Sequence, residues 1–137
     1  MNVPRLRIAL RRLGLAGSAL TFGFIGLGSI LAPAKVAAQY AYTAGTPDSW
    51  SEFHAVFTGF WLGLCVWMLT AARRWQDRRL GDLAGIAIGL QALARLYSII
   101  AHGTPASSFT SAMLGEMVTA ALILQGGPLV APRNHAA

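Results

Sequence analysis

Hydrophobic positions fall into four long runs separated by short polar stretches, at 13–34, 53–72, 83–102 and 109–130. Each is close to the roughly 20 residues that carry a helix across a bilayer. The pattern predicts an all-α chain, an integral membrane four-helix bundle. Polar residues at the run boundaries supply helix-start signals. Ser49-Trp50-Ser51-Glu52 fits the S-x-x-E capping box, Asp82 suits an N-cap, and Thr104-Pro105 places an N-cap before a proline at the first helical position. Gly126-Gly127-Pro128 is a helix-ending signal in the last run. The connection between the third and fourth runs is short, so those helices are expected to be antiparallel neighbours, as are the second and third. The stretch Lys35–Ser51 is the longest connection and the best candidate for a lid or partner surface.

Composition agrees with this reading. The chain has 137 residues, of which 55% are hydrophobic and 12% charged, with a mean hydropathy of +0.52. A soluble domain of this size could not hide so much apolar surface. The net charge of +6 invites a nucleic-acid partner, but the charge distribution argues against one, and no nucleic-acid partner is expected. Arg5, Arg7, Arg11 and Arg12 precede the first run, Arg73, Arg74, Arg78 and Arg79 follow the second, and Arg133 follows the fourth. With both termini cytoplasmic, Lys35 alone among these flanking cations lies outside, a strong positive-inside bias. The expected organisation is a basic cytoplasmic arm at 1–12, a multi-pass region at 13–130 in a bacterial inner membrane, and a short cytoplasmic tail at 131–137. Tyr40, Tyr42 and Trp50 would then anchor the outer interface and Trp75 the inner one. Arginines, an apolar run and Ala32-Pro33-Ala34 or Val36-Ala37-Ala38 also resemble a cleavable signal peptide, and Arg11-Arg12 a twin-arginine signal. The apolar run exceeds the 7–15 residues usual for a signal.

Two ionisable side chains interrupt the apolar runs, Arg95 in the third and Glu116 in the fourth. Such a group costs about 2.5–3.5 kcal/mol near mid-bilayer, so it faces a protein partner or a wet cavity. Gln91, Arg95, Ser98 and His102 are spaced by four, three and four, on one helix face. Arg95 and Glu116 each lie about 10 Å from the outer ends of their helices, at matching depth. They are expected to pair, either as a register-fixing ion pair or in an outward pocket where Arg95 holds an anionic or carbonyl group. His54 and Glu52 near the start of the second run are further candidates, although Glu52 is more simply a capping carboxylate. His54 and His102 share a membrane level, a weak pairing for a metal or haem, and His135 lies in the tail; ligand clusters normally show tighter spacing, so no metal site is assigned and the sequence names no cofactor. Cys65 reads as a small buried hydrophobe. No catalytic motif is present: no H-E-x-x-H, G-x-S-x-G or C-x-x-C. Gly59 and Gly63, and Gly81, Gly85 and Gly89, repeat every four residues and are read as helix-packing positions.

Glu52-Phe53-His54-Ala55-Val56-Phe57-Thr58-Gly59-Phe60-Trp61-Leu62-Gly63, Ala92-Leu93-Ala94-Arg95-Leu96-Tyr97-Ser98 and the mid-run Glu116 together resemble a family of small bacterial inner-membrane proteins, domain of unknown function 4345. The resemblance implies a four-helix membrane bundle with Glu52, Arg95 and Glu116 as its polar signature, and implies no activity. The expected function is that of a non-catalytic accessory subunit, with the lipid bilayer and other membrane subunits as partners. The alternatives are a small-molecule or lipid binding protein or enzyme built on Arg95 and Glu116, and, more remotely, a transporter.

Overall fold

The computed structural model describes residues 3–105 and 107–125, and every regular element among them is a helix. These are α1 (Val3–Leu31), α2 (Pro33–Gln39), α3 (Pro47–Arg73), α4 (Arg78–His102) and α5 (Ser107–Leu124). Three of them, α1, α3 and α4, are long and apolar enough to cross a membrane. With 18 residues, α5 spans about 27 Å at 1.5 Å per residue. The end of the fourth expected span (126–130), the glycine-proline stop, His135 and the tail at 131–137 lie outside the described residues.

Several expected boundaries shift, each for a local reason. Helix α1 begins at Val3, inside the stretch read as an arm. Helix α3 begins at Pro47, because Thr46 and not Ser49 is the N-cap; Thr46 Oγ1 accepts from the Ser49 N–H, and Ser49 Oγ accepts from the Thr46 N–H. Glu52 therefore lies a turn inside the helix and caps nothing. Asp77, not Asp82, caps α4 by accepting from the Arg79 N–H. Thr104 and Pro105 precede α5 without belonging to it.

The chain forms two compact units, one from residues 1–15 with 71–137 and the other from 16–70. In the first unit, Gly81, Ala84, Gly85, Ile88 and Ala92 form the buried face of α4. Their spacing of three and four makes a small-residue stripe down one side of the helix. Met113, Ala120 and Ile123 of α5 are buried as well. The approach is close: a Cβ on Gly85 would stand 2.9 Å from Ile123 Cγ2 and Leu124 Cγ, and one on Gly89 3.7 Å from Ala120 Cβ. In lipid such backbone proximity replaces the hydrophobic effect as the source of packing energy.

Arg11 closes the other end of this unit. It is 2% exposed. Its Nη1 donates to Asp82 Oδ1 at 2.7 Å and to the Ile123 carbonyl at 3.0 Å, and its Nη2 donates to the Arg78 carbonyl at 2.7 Å. One planar fork thus ties α1 to the start of α4 and to the end of α5, whose last carbonyls have no helical partner. Gly81 leaves room for the fork; a Cβ there would overlap the Arg11 guanidinium. Asp82 receives a second cation, Arg78 Nε, at 3.0 Å.

In the second unit, Phe53 is fully buried among rings: Trp50 at 5.5 Å, Tyr42 at 5.7 Å and Phe57 at 4.9 Å between centroids. Tyr40 packs on Phe57 at 4.9 Å and on Trp61 at 5.7 Å. The long connection is therefore tied down by its own aromatics. It holds α2, closed by a Schellman turn in which the Tyr42 N–H reaches the Ala37 carbonyl at 2.8 Å and the Ala41 N–H reaches that of Ala38 at 3.1 Å. Ala41 takes the left-handed position, φ 51°, where glycine is usual. Gly59 and Gly63 correct the expected packing: both are exposed, and a Cβ on Gly63 meets nothing within 4 Å among the described residues. Close approach belongs instead to Gly23 and Gly26 of α1, whose Cβ positions would fall 3.1 Å from Cys65 Sγ and 2.7 Å from Leu62 Cγ.

Two measurements check these assignments in detergent-solubilised protein. Arg11→Met strands two carbonyls and leaves Asp82 to Arg78 alone, and is expected to cost about 2–4 kcal/mol of unfolding free energy, whereas Arg12→Met, at the exposed neighbour, stays within about 0.5 kcal/mol. Gly85→Ala overpacks against Ile123 and is expected to cost about 1–3 kcal/mol, whereas Gly63→Ala is neutral or stabilising by up to about 1 kcal/mol.

Candidate functional site

The buried stripe of α4 runs from Gly81 through Gly85, Ile88 and Ala92, and the next position on it is Arg95. The stripe of α5 includes Met113, Glu116, Ala120 and Ile123. Both charges therefore occupy the packed faces of adjacent helices, where the apolar series is interrupted once on each side. Arg95 Nε donates to both Glu116 oxygens, at 2.9 and 3.1 Å. Gln91, one turn earlier, donates from Nε2 to Glu116 Oε1 at 2.9 Å. The two charged side chains keep 25% and 16% of their exposure. Glu116 thus collects three hydrogen bonds and a compensating charge, which is what a carboxylate needs when removed from water.

Arg95 is less completely satisfied. Only its Nε is used, and its Nη1 and Nη2 have no hydrogen-bond partner among the described residues. Arg95 also lines an open pocket of about 160 Å³ with Ser98, Ile99, Pro105 and Phe109. Ser98 is exposed and its hydroxyl is likewise unbonded among the described residues. The pocket therefore offers guanidinium N–H donors and one hydroxyl beside an apolar wall. Because Glu116 already neutralises Arg95, the cluster has no net charge. Its chemistry is hydrogen-bond donation to an oxygen acceptor rather than capture of a highly charged anion.

His54 and Glu52 belong to the other unit. Glu52 is exposed and forms no ion pair or hydrogen bond among the described residues. His54 begins a π-helical segment, His54–Phe60, in which the Trp61 N–H reaches back five residues to the Val56 carbonyl. Single wide turns of this kind recur at functional positions. His54 Nδ1 lies 3.0 Å from Thr58 Oγ1, which lies 2.6 Å from Ser29 Oγ. Ser29 is fully buried, with the carbonyls of Gly26 and Phe57 at 2.7 and 3.1 Å. Ser29 has one hydroxyl proton for these three contacts; either hydroxyl can donate in the Ser29–Thr58 bond, and the His54 tautomer sets the role of Nδ1 toward Thr58 Oγ1. Trp50 stacks beside the ring, at 6.1 Å between centroids.

Ser29 and the buried Arg11 escape a sequence reading. A serine inside an apolar run and one arginine of a basic cluster carry no signal of burial; the only hint is that Arg11, Leu15, Ala19, Phe22, Gly26 and Ser29 share one helical stripe. His102 is exposed in the last turn of α4, and no group of three His, Cys, Asp or Glu among the described residues is arranged to hold a metal ion.

The fold and the charged pair define an all-helical protein whose long apolar helices are of membrane-crossing length, with ionisable side chains set into their packed faces. The chain belongs to the DUF4345 family, domain of unknown function, whose profile matches residues 10–126. No curated protein and no solved structure matches it.

The energetics of the pair are open to a double-mutant cycle. Arg95→Met and Glu116→Gln are each expected to cost about 2–3 kcal/mol in denaturant titration, because each leaves a partly buried partner unpaired. The double variant is expected to recover most of that loss, and additive costs would show that the two do not interact.

Proposed function

We propose that this protein is a membrane-embedded binding protein for a small amphiphile carrying an oxygen acceptor, such as a carbonyl or carboxyl group. One observation carries the reading: Arg95, set within an apolar helix face, spends only its Nε on Glu116 and leaves its two Nη groups to a pocket it shares with Ser98. Glu116 and Gln91 orient the guanidinium, and the donor edge of Arg95 with the Ser98 hydroxyl receives the ligand. Phe109, Ile99 and Pro105 supply the apolar contact. The basic clusters support a topology with both termini in the cytoplasm of a bacterial cell, in which the pocket opens toward the outer side of the inner membrane.

A second reading, an accessory subunit of a larger membrane complex, draws on a different observation. Gly59 and Gly63 sit exposed on α3 beside exposed Val56 and Phe60, a small-residue surface of the type that admits a neighbouring helix.

Purification of the full chain from its native membrane in gentle detergent, with mass spectrometry of what accompanies it, separates the two. The binding reading expects a retained small molecule that Arg95→Lys loses by about 10–100-fold while the unfolding midpoint holds, since an ammonium does not reproduce the guanidinium fork. A stoichiometric protein partner, with no small molecule and no effect of Arg95→Lys, would establish the accessory role instead.

A further inference from the structure

Lys35 is the one Lys or Arg between residues 16 and 70. It sits in α2, at the end of the apolar α1, and joins none of the ion pairs among the described residues. The acidic side chains of this unit, Asp48 and Glu52, do not reach it. Lys35 is exposed and has no counter-ion within salt-bridge distance among the described residues, so at a membrane surface it attracts an anionic headgroup.

The surface next to Lys35 has a definite shape. Helices α1 and α2 border a groove of about 580 Å³, within the range of ligand-sized cavities. Its α1 wall includes Leu20, Phe24, Ile25 and Gly28, covering about 12 Å of helix. Leu20 and Phe24 are 74% and 81% exposed, so this wall faces outward from the protein. On α2, Lys35 and Gln39, four residues apart, bring polar groups to the same groove. A slot that is apolar along one helix and carries a single uncompensated cation at the short helix beyond its end matches a molecule with a long tail and an anionic head.

We propose that this groove is a specific site for an anionic phospholipid, with one acyl chain along Leu20, Phe24 and Ile25 and the phosphate on Lys35 and Gln39. The site lies in the other unit from the Arg95 pocket and does not depend on it. A second copy of this chain fits the groove less well, because filling the slot and meeting Lys35 would require a carboxylate beside a protruding apolar segment.

The test uses the full-length protein, delipidated in detergent and then exposed to phosphatidylglycerol or phosphatidylcholine with matched acyl chains, with retained lipid counted by native mass spectrometry. One phosphatidylglycerol per chain is expected to survive washing in preference to phosphatidylcholine. Lys35→Gln is expected to reduce that preference about fivefold, and Lys35→Arg to restore it. Thr21→Trp, which fills the slot from an exposed position, is expected to remove retained lipid of either headgroup. Equal retention of the two lipids, indifference to Lys35→Gln, unchanged retention in Thr21→Trp, or a dimer that occupies the groove without lipid would each overturn the proposal. Retention of phosphatidylglycerol by Arg95→Lys at the level of the unaltered chain keeps this site separate from the Arg95 pocket.

Discussion

A guanidinium with 2% exposure sets the terms for the first unit. Burying the Arg11 fork calls for acceptors at its terminal nitrogens and room around its plane, although its Nε stays buried without a partner among the described residues. Asp82, the Arg78 carbonyl and the Ile123 carbonyl are the acceptors, and Gly81 leaves the room. This requirement fixes the rotation of α1, the start of α4 and the end of α5 relative to a single side chain. The glycine stripe of α4 then continues the close approach: Gly85 meets Ile123 and Leu124, and Gly89 meets Ala120. Farther along the same two faces, the register carries Arg95 to Glu116.

The two charge clusters of this unit differ in which nitrogens of the arginine are engaged. Arg11 has both terminal nitrogens engaged and lies sealed within the protein. Arg95 engages only its inner nitrogen and opens onto a pocket. A buried ion pair contributes little net stability over an apolar isostere, so a chain under selection for stability alone has small reason to keep Arg95. Among the described residues Arg95 is held by its Nε alone, which is the observation that the proposed ligand reading draws on.

Much of this was legible in the residues. The apolar runs located the helices, and the depth of Arg95 and Glu116, counted along two short-linked helices, brought them together. Helix starts were less legible, because Asp82 and Ser49 satisfy the capping pattern as well as Asp77 and Thr46 do; which acceptor is used depends on where the chain turns. Glycine spacing was ambiguous for the same reason. Gly59-x-x-x-Gly63 and Gly81-x-x-x-Gly85 look alike, yet among the described residues the second alone is packed against another helix, and an x-x-x spacing encodes a groove without encoding what fills it. Arg11 and Arg12 are adjacent and chemically identical, and the 100° between them on the helix alone makes one a structural centre and the other solvent-exposed. Ser29 meets the π-helical segment through the Phe57 carbonyl and the Thr58 hydroxyl, a contact between distant segments that no local pattern contains.

An experimental density map of the protein in native-lipid nanodiscs, read at the two Nη atoms of Arg95, tests the binding claim most directly. The account predicts non-protein density within hydrogen-bonding distance of those atoms and of the Ser98 hydroxyl, extending along Phe109. A pocket holding only water, or one filled by a side chain of a neighbouring subunit, would contradict it.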